Sequence, residues 1–130
     1  MSAVPLRFAT KRQEREWLSG QLDARLVSIV TRGAEVSLER FAWLWTVTSI
    51  WRTGAEDAKL KGSGLHTLWR AIDIRTNDAP AGALAVIGNG INNGWVYDPA
   101  RPKLKVAVWK PHGTGPHLHL QVSSATVEEA

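Results

Sequence analysis

The first third of the chain carries a helical pattern of apolar residues. From about Lys11 onward, apolar positions recur at spacings of three and four, which is the period of an amphipathic helix. These positions are Leu18, Leu22, Leu26, Ile29 and Val30. Gly33 could end or kink the helix, and the same period continues to Phe41, so the pattern allows one helix or two. Residues 1–10, which include Pro5, are expected to form an extended lead-in.

Two short segments in the middle of the chain are patterned as strands. Residues 44–51 are rich in β-branched and aromatic types, and residues 71–75 alternate between apolar and polar side chains. Between them, residues 52–65 are polar and glycine-rich, which predicts a loop over the surface. Glu56 and Asp57 in that loop are expected to be solvated charges.

The remaining residues predict one more helix and two more strands. Pro80 and an alanine-rich run to about Asn92 indicate the helix. Residues 103–109 and 117–123 predict strands, joined by a Gly/Pro-rich turn, and residues 124–130 predict a loose tail. The order of elements predicts a single α+β domain over residues 1–130, with N-terminal helices packed on a small, mostly antiparallel sheet.

Composition narrows the classes of function. A chain of 130 residues with 44% hydrophobic and 22% charged residues suits one globular domain, which we expect to be a monomer. The absence of cysteine excludes disulfide scaffolds, thiolate metal sites and cysteine nucleophiles. The net charge of +4 is compatible with an acidic partner such as nucleic acid, anionic lipid or a cell-wall polymer. No apolar run approaches a membrane span, and the charged first thirty residues indicate no secretory signal.

Histidine and tryptophan are unevenly distributed. Seven Trp stand beside two Phe and one Tyr, and three of the four histidines, His112, His117 and His119, fall within eight positions. Strand alternation places His117, His119 and Gln121 on one face of the last predicted strand. Two such imidazoles could reach one metal ion, or one could bind it while the other serves a water. An exposed strand face with two chance histidines would give the same pattern.

Two further candidate ligands lie upstream. His66 ends the glycine-rich loop, and Asp73 follows seven residues later, on the strand face opposite Ile72 and Ile74. An Asp at that position is either an exposed charge or a metal ligand. Two histidines and an aspartate are a plausible set for catalytic zinc with its fourth position open to water, and imidazole suits zinc better than it suits hard oxygen-binding cations.

Four segments in this order resemble the D-alanyl-D-alanine carboxypeptidase and L-alanyl-D-glutamate endopeptidase family of zinc peptidases. They are TVTSIWR at 46–52, GSGLH at 62–66, AIDI at 71–74 and GPHLHL at 115–120. The family shares its metal-site pattern, His-x6-Asp followed by His-x-His, with lysostaphin-type peptidases and the hedgehog signalling domain. The short chain and the WRAID version of the motif are most similar to phage-encoded members. Trp69 stands where the family commonly has glycine, three residues after the first ligand.

The resemblance implies a role for each matched residue. His66, Asp73 and His119 fall on the family's three zinc-ligand positions, for one Zn²⁺ ion. Arg52 falls on an arginine that binds substrate and stabilises the developing oxyanion, a role that suits a guanidinium beside a metal.

The general base is less directly implied. Many relatives place a Glu shortly before the last ligand, but no acidic residue lies between Asp98 and Glu128 in this chain. A histidine must then serve, and His117 matches relatives that carry histidine instead of the glutamate. His112 is the alternative base, and only the folding of its turn decides whether it reaches the water.

The implied activity is zinc-dependent hydrolysis of an amide bond in peptidoglycan stem peptides or cross-links, by an endolysin or a cell-wall endopeptidase or carboxypeptidase. Such an enzyme is synthesised in the cytoplasm and acts at the bacterial wall, in phage lysis or as part of a virion. Two alternatives stay open at this point. One is a non-catalytic zinc-containing module that binds cell wall or protein, and the other is a basic nucleic-acid binder with Trp stacking platforms. The Trp pattern shows no interleaving with Lys and Arg, so we expect no nucleic-acid partner.

Overall fold

The computed structural model describes residues 4–109 and 117–129, and those residues form four α-helices and seven strands. The helices are α1 (Lys11–Leu18), α2 (Ala24–Phe41), α3 (Gly54–Lys59) and α4 (Ala83–Gly94), with one 3-10 turn at His66–Leu68. The strands are β1 (Leu6–Phe8), β2 (Trp45–Ser49), β3 (Ala71–Arg75), β4 (Trp95–Val96), β5 (Ala107–Val108), β6 (His117–Gln121) and β7 (Val127–Glu128).

The main sheet has five strands in the order β1-β2-β3-β6-β5. All its neighbours are antiparallel except β1, which pairs in parallel with β2. A separate two-stranded sheet joins β4 to β7. The predicted α+β class with a mostly antiparallel sheet is therefore confirmed.

Local sequence explains why the N-terminal pattern forms two helices. Thr10 caps α1 in a capping box with Gln13, and Asp23 caps α2 by accepting from the Arg25 amide. Between the helices, Gly20 has φ +77°, which turns the chain. Gly33 does not interrupt α2. It lets the helix lie against the Trp45 ring, where a Cβ at position 33 would come within 2.6 Å of Trp45 Cη2.

The helices α2 and α4 cover one face of the main sheet and contact each other. The alternate residues of β3 and β6 that point into this core are fully buried. They are Ile72, Ile74, Leu118 and Leu120. The opposite residues of the same two strands point to the other face, which α1 borders through its contacts with β1 and β2. Strand periodicity therefore separates an apolar core face from a polar face.

Several predicted elements differ from the observed ones. Residues 52–65 are not only loop, because α3 forms within them, and Val127–Glu128 pairs with β4 where a loose tail is predicted. The predicted strand 103–109 is reduced to Ala107–Val108. The pairing of Val127–Glu128 depends on a partner far along the chain, which a local pattern does not reveal.

Two of the tryptophans are core residues. Trp43 and Trp45 are 2% and 0% exposed, which favours packing over nucleic-acid stacking as their role. Within the described parts of the chain, no helix combines the length and apolar character needed to cross a bilayer.

Candidate metal centre

The strands β3 and β6 bring two of the predicted ligands opposite each other. Their antiparallel register pairs Asp73 with His119 and Arg75 with His117, all on the polar face of the sheet. The 3-10 turn after the glycine-rich segment adds His66. Ligand atoms of His66, Asp73 and His119 lie within 4.8 Å of one another, so this group could hold a metal ion.

His66 is held in one tautomer by the backbone. Its Nδ1 lies 2.8 Å from the Ile50 carbonyl oxygen, which can only accept, so Nδ1 carries the proton. In the neutral ring, Nε2 then presents a lone pair. It faces Asp73 Oδ2 at 3.3 Å, is buried, and has no hydrogen-bond partner among the described residues. Two buried acceptors facing each other require a cation or an added proton between them.

His119 is held in the complementary tautomer by Gln121. The Gln121 amide nitrogen donates to the Lys105 carbonyl at 2.9 Å, which turns Gln121 Oε1 toward His119. His119 Nε2 lies 3.0 Å from that oxygen and donates to it. The lone pair of the neutral ring is therefore on Nδ1, which lies 2.8 Å from Asp73 Oδ1. Gln121 thus positions a candidate ligand.

Asp73 is the charged centre of the group. It is 4% exposed, and its oxygens contact His119, Arg52 and His66. Burial by itself would raise the pKa of Asp73, but hydrogen bonds and positive charge from His119 and His66 in their protonated forms outweigh burial and hold that pKa well below its usual range. The carboxylate is therefore ionised at neutral pH, as a metal ligand must be.

Arg52 lies beside Asp73, between two carboxylates. Its Nη2 is 3.0 Å from Asp73 Oδ2, and its Nη1 is 3.4 Å from Asp57 Oδ1. Asp57 is 5% exposed and also accepts from the Gly64 amide, so the prediction that Asp57 is solvated is wrong. The reason is α3, which folds this carboxylate back over the glycine-rich segment. Glu56 does remain on the surface side of α3.

The backbone before Arg52 is clamped by α1, a feature that the sequence pattern did not indicate. Arg12 Nη2 donates to the Trp51 carbonyl at 2.8 Å, and Glu16 Oε1 accepts from the Trp51 amide at 3.3 Å. Arg12 also forms a two-pronged pair with Glu56, 2.9 Å at each nitrogen. One helix therefore fixes both peptide groups of Trp51 and, through them, the position of Arg52.

His117 lies next to the three candidate ligands on the same strand face. Its ring centroid is 6.3 Å from that of His119, and its Nε2 is 3.7 Å from Asp73 Oδ1. Its side chain is 16% exposed, so it can reach solvent while standing beside the centre. His112, the alternative base, lies outside the described residues.

Two clefts meet at the centre. One, of about 380 Å³, extends toward α1 and is lined by Arg12, Trp51 and Arg75. The other, of about 300 Å³, extends toward the glycine-rich segment and is lined by Lys61, Ser63 and Gln121. Arg52, Asp73 and His117 line both. An extended ligand could therefore cross the centre with one part in each cleft.

Trp69 has a backbone conformation that usually belongs to glycine. Its φ is +59°, and only two other non-glycine residues in the described part of the chain, Ala42 and Lys61, have positive φ. Its ring stacks on that of Trp51, with centroids 5.8 Å apart and planes inclined by 18°. Trp69 thus adopts a backbone conformation that favours glycine, and stacking helps to stabilise it.

The Arg12–Glu56 pair should make stability depend on acid pH. Arg12, the main cause, and the Thr53 amide lower the pKa of Glu56 from 4.5 to about 2. The contribution of a carboxylate with a lowered pKa is full above its unfolded value and is lost as pH falls through its folded value. We expect wild type to have a higher melting temperature than Glu56→Gln above about pH 5, and this difference to vanish between pH 4.5 and 2.

Thermal unfolding followed by circular dichroism across that pH range measures the effect. Glu14→Gln is the matched control, because Glu14 is an exposed residue of α1 and forms no ion pair among the described residues. A melting difference between wild type and Glu56→Gln that stays constant down to pH 2 would contradict the assignment.

Comparison with protein-family models, curated proteins and solved structures found no match to this chain. The residues and geometry of the centre itself must therefore carry the functional interpretation.

Proposed function

We propose that this chain is a zinc-dependent peptidase that hydrolyses an amide bond in peptidoglycan stem peptides or cross-links. The observation that carries the proposal is the pair of tautomers at the centre. The Ile50 carbonyl and the Gln121 amide orient His66 and His119 so that both lone pairs converge on one ionised carboxylate. A bound cation would satisfy both lone pairs and the carboxylate at once, which is why we take this convergence as the support for a metal ion.

The donor set favours zinc among the common cations. Two imidazole nitrogens and one carboxylate oxygen match a catalytic zinc site with an open fourth position, and they fit hard, oxygen-preferring ions poorly. When bound, zinc would polarise a substrate carbonyl and lower the pKa of a water. The resemblance to the zinc peptidase family on the same three residues supports the same metal.

The surrounding residues suit amide hydrolysis. His117 is proposed to take a proton from the attacking water and to return it to the leaving amine. Its partly exposed position beside Asp73 fits a group that must change protonation in each cycle. Arg52 offers charge-assisted hydrogen bonds to the carbonyl oxygen as negative charge develops there, and the Trp51 clamp holds it in reach.

The two clefts suit a substrate that continues on both sides of the cleaved bond. They meet at Asp73 and His117, so a peptide lying across the centre would place its scissile amide beside the proposed base. This arrangement favours an extended peptide over a small metabolite. The wall peptides of bacteria are the substrate class that the resemblance indicates, which would put the site of action at the cell wall.

Digestion of purified peptidoglycan tests the function. We expect wild type to release defined peptides, the release to stop when a chelator removes the metal, and added zinc to restore it. Mass spectrometry of the products identifies the cleaved bond. A protein that binds zinc but leaves every wall preparation intact would contradict the peptidase and favour a zinc-containing binding module.

A further inference from the structure

The larger cleft contains an arginine that the proposed chemistry does not use. Arg75 is the last residue of β3 and is exposed. Register pairs it with His117, two positions along the strand from Asp73 and on the same face. Alternate residues of a strand lie about 6.6 Å apart, so the Arg75 side chain begins about two extended peptide residues from Asp73.

The other two arginines of that cleft are each paired with two carboxylates. Arg12 is bound by Glu16 and Glu56, and Arg52 by Asp57 and Asp73. Arg75, by contrast, has no carboxylate within ion-pair distance among residues 4–109 and 117–129. Among the described residues, it is thus the one arginine lining the cleft whose charge no carboxylate balances.

The net charge of the side chains around the cleft indicates the charge of its ligand. The four carboxylates that hold Arg12 and Arg52 exceed those two cations by two charges, which a divalent metal ion would cancel. Arg75 then leaves the occupied cleft with one positive charge. A guanidinium offers parallel N–H donors that match both oxygens of a carboxylate.

We propose that Arg75 is a specificity-determining residue that binds a free carboxylate of the substrate, next to the scissile amide. The inference rests on the proposed peptidase function and deepens it, because it makes the preferred substrate an anionic peptide. In a stem peptide with lysine at its third position, the carboxylate has two possible sources, the C-terminus and the α-carboxylate of D-glutamate. Both offer the same chemistry to Arg75.

Four synthetic stem pentapeptides separate the two sources. One has both carboxylates free, one has a C-terminal amide, one has D-isoglutamine in place of D-glutamate, and one has both groups blocked. Binding is measured by calorimetry on zinc-loaded His117→Ala protein, in which turnover is suppressed, and kcat/KM is measured on protein with His117 intact. Both measurements are repeated on proteins that also carry Arg75→Ala or Arg75→Lys.

We expect Arg75→Ala to weaken binding of the free peptide about 10- to 100-fold and to leave the doubly blocked peptide unchanged. If one singly blocked peptide binds as poorly as the doubly blocked peptide, the carboxylate that is blocked in it is the one that Arg75 binds. Arg75→Lys should recover part of the loss, because lysine keeps the charge without the paired donors. Arg32→Ala is the matched control, since Arg32 is an exposed arginine that lines neither cleft at the centre.

The outcomes separate this inference from the function on which it rests. If peptides are cleaved but Arg75→Ala keeps the full preference for free carboxylates, the role of Arg75 is wrong and the peptidase stands. If no peptide is cleaved but the preference depends on Arg75, carboxylate recognition stands and the peptidase is wrong. If wild type and His117→Ala bind none of the four peptides, the inference is overturned.

Discussion

Replacing Asp73 by Asn is expected to abolish zinc binding and, with it, peptide hydrolysis. The substitution keeps the size of the side chain but removes the negative charge on which His66, His119 and Arg52 converge at 3.3, 2.8 and 3.0 Å. Loss of residues that merely support metal ligands costs 10–100-fold in affinity, so loss of a charged ligand should cost at least about 100-fold. It also leaves Arg52, which is 16% exposed, without its nearer anion.

Two measurements check this expectation. Competition with a chromogenic chelator gives the zinc affinity, and thermal unfolding gives the stabilisation by added zinc. Zinc at 100 times its dissociation constant should stabilise wild type by about 2.7 kcal/mol, and it should leave Asp73→Asn almost unchanged.

Asp98→Asn is the matched control for Asp73→Asn. Asp98 also holds an arginine, Arg101 at 2.7 Å, but it lines neither cleft at the centre. An Asp73→Asn protein that binds one zinc ion as tightly as wild type would overturn the assignment of the centre.

Replacing His117 by Ala is expected to lower kcat about 10²- to 10⁴-fold while zinc binding stays intact. The reason is the difference in placement between His117 and the three candidate ligands. Its Nε2 lies 3.7 Å from Asp73 Oδ1, and the group whose ligand atoms converge is formed by His66, Asp73 and His119. A base that is not a metal ligand can be removed without loss of the metal ion. The substitution should therefore lower kcat and leave the metal affinity unchanged.

The same experiment distinguishes the two candidate bases. Zinc content, kcat and KM are measured for His117→Ala and for His112→Ala, with each protein reconstituted to one zinc ion. We expect His112→Ala to keep most of its activity. Full activity in His117→Ala together with a large loss in His112→Ala would move the role of base to His112.

Much of the site follows from local pattern. The alternation in β3 and β6 places Asp73 and His119 on the face away from Ile72 and Leu118, and the structure has this arrangement. Such predictions succeed because a strand has a period of two and its apolar residues mark the buried face. Residue type made His66 and Asp73 candidate ligands, and the 3-10 turn brings them together.

The helix α3 shows a local signal that was present but easily missed. Thr53 and Glu56 form a capping box of the Thr-x-x-Glu type at the start of a helix of only six residues. The surrounding glycines favour a loop interpretation. Burial of Asp57 against the Gly64 amide stabilises the helix, and that contact depends on the folded glycine-rich segment.

The sequence by itself determined the fold class, the polar strand face and the residue types that can bind a metal, because each follows from short-range periodicity and side-chain chemistry. Only the tertiary structure decided how those residues are oriented. The proton of His66 is set by a carbonyl sixteen residues away, and Arg52 is positioned by a helix nearly forty residues earlier in the chain. The tertiary structure also decided that β1 pairs with β2 and that β7 pairs with β4. Contacts of this kind form between segments distant in sequence, and no local pattern encodes which distant group arrives.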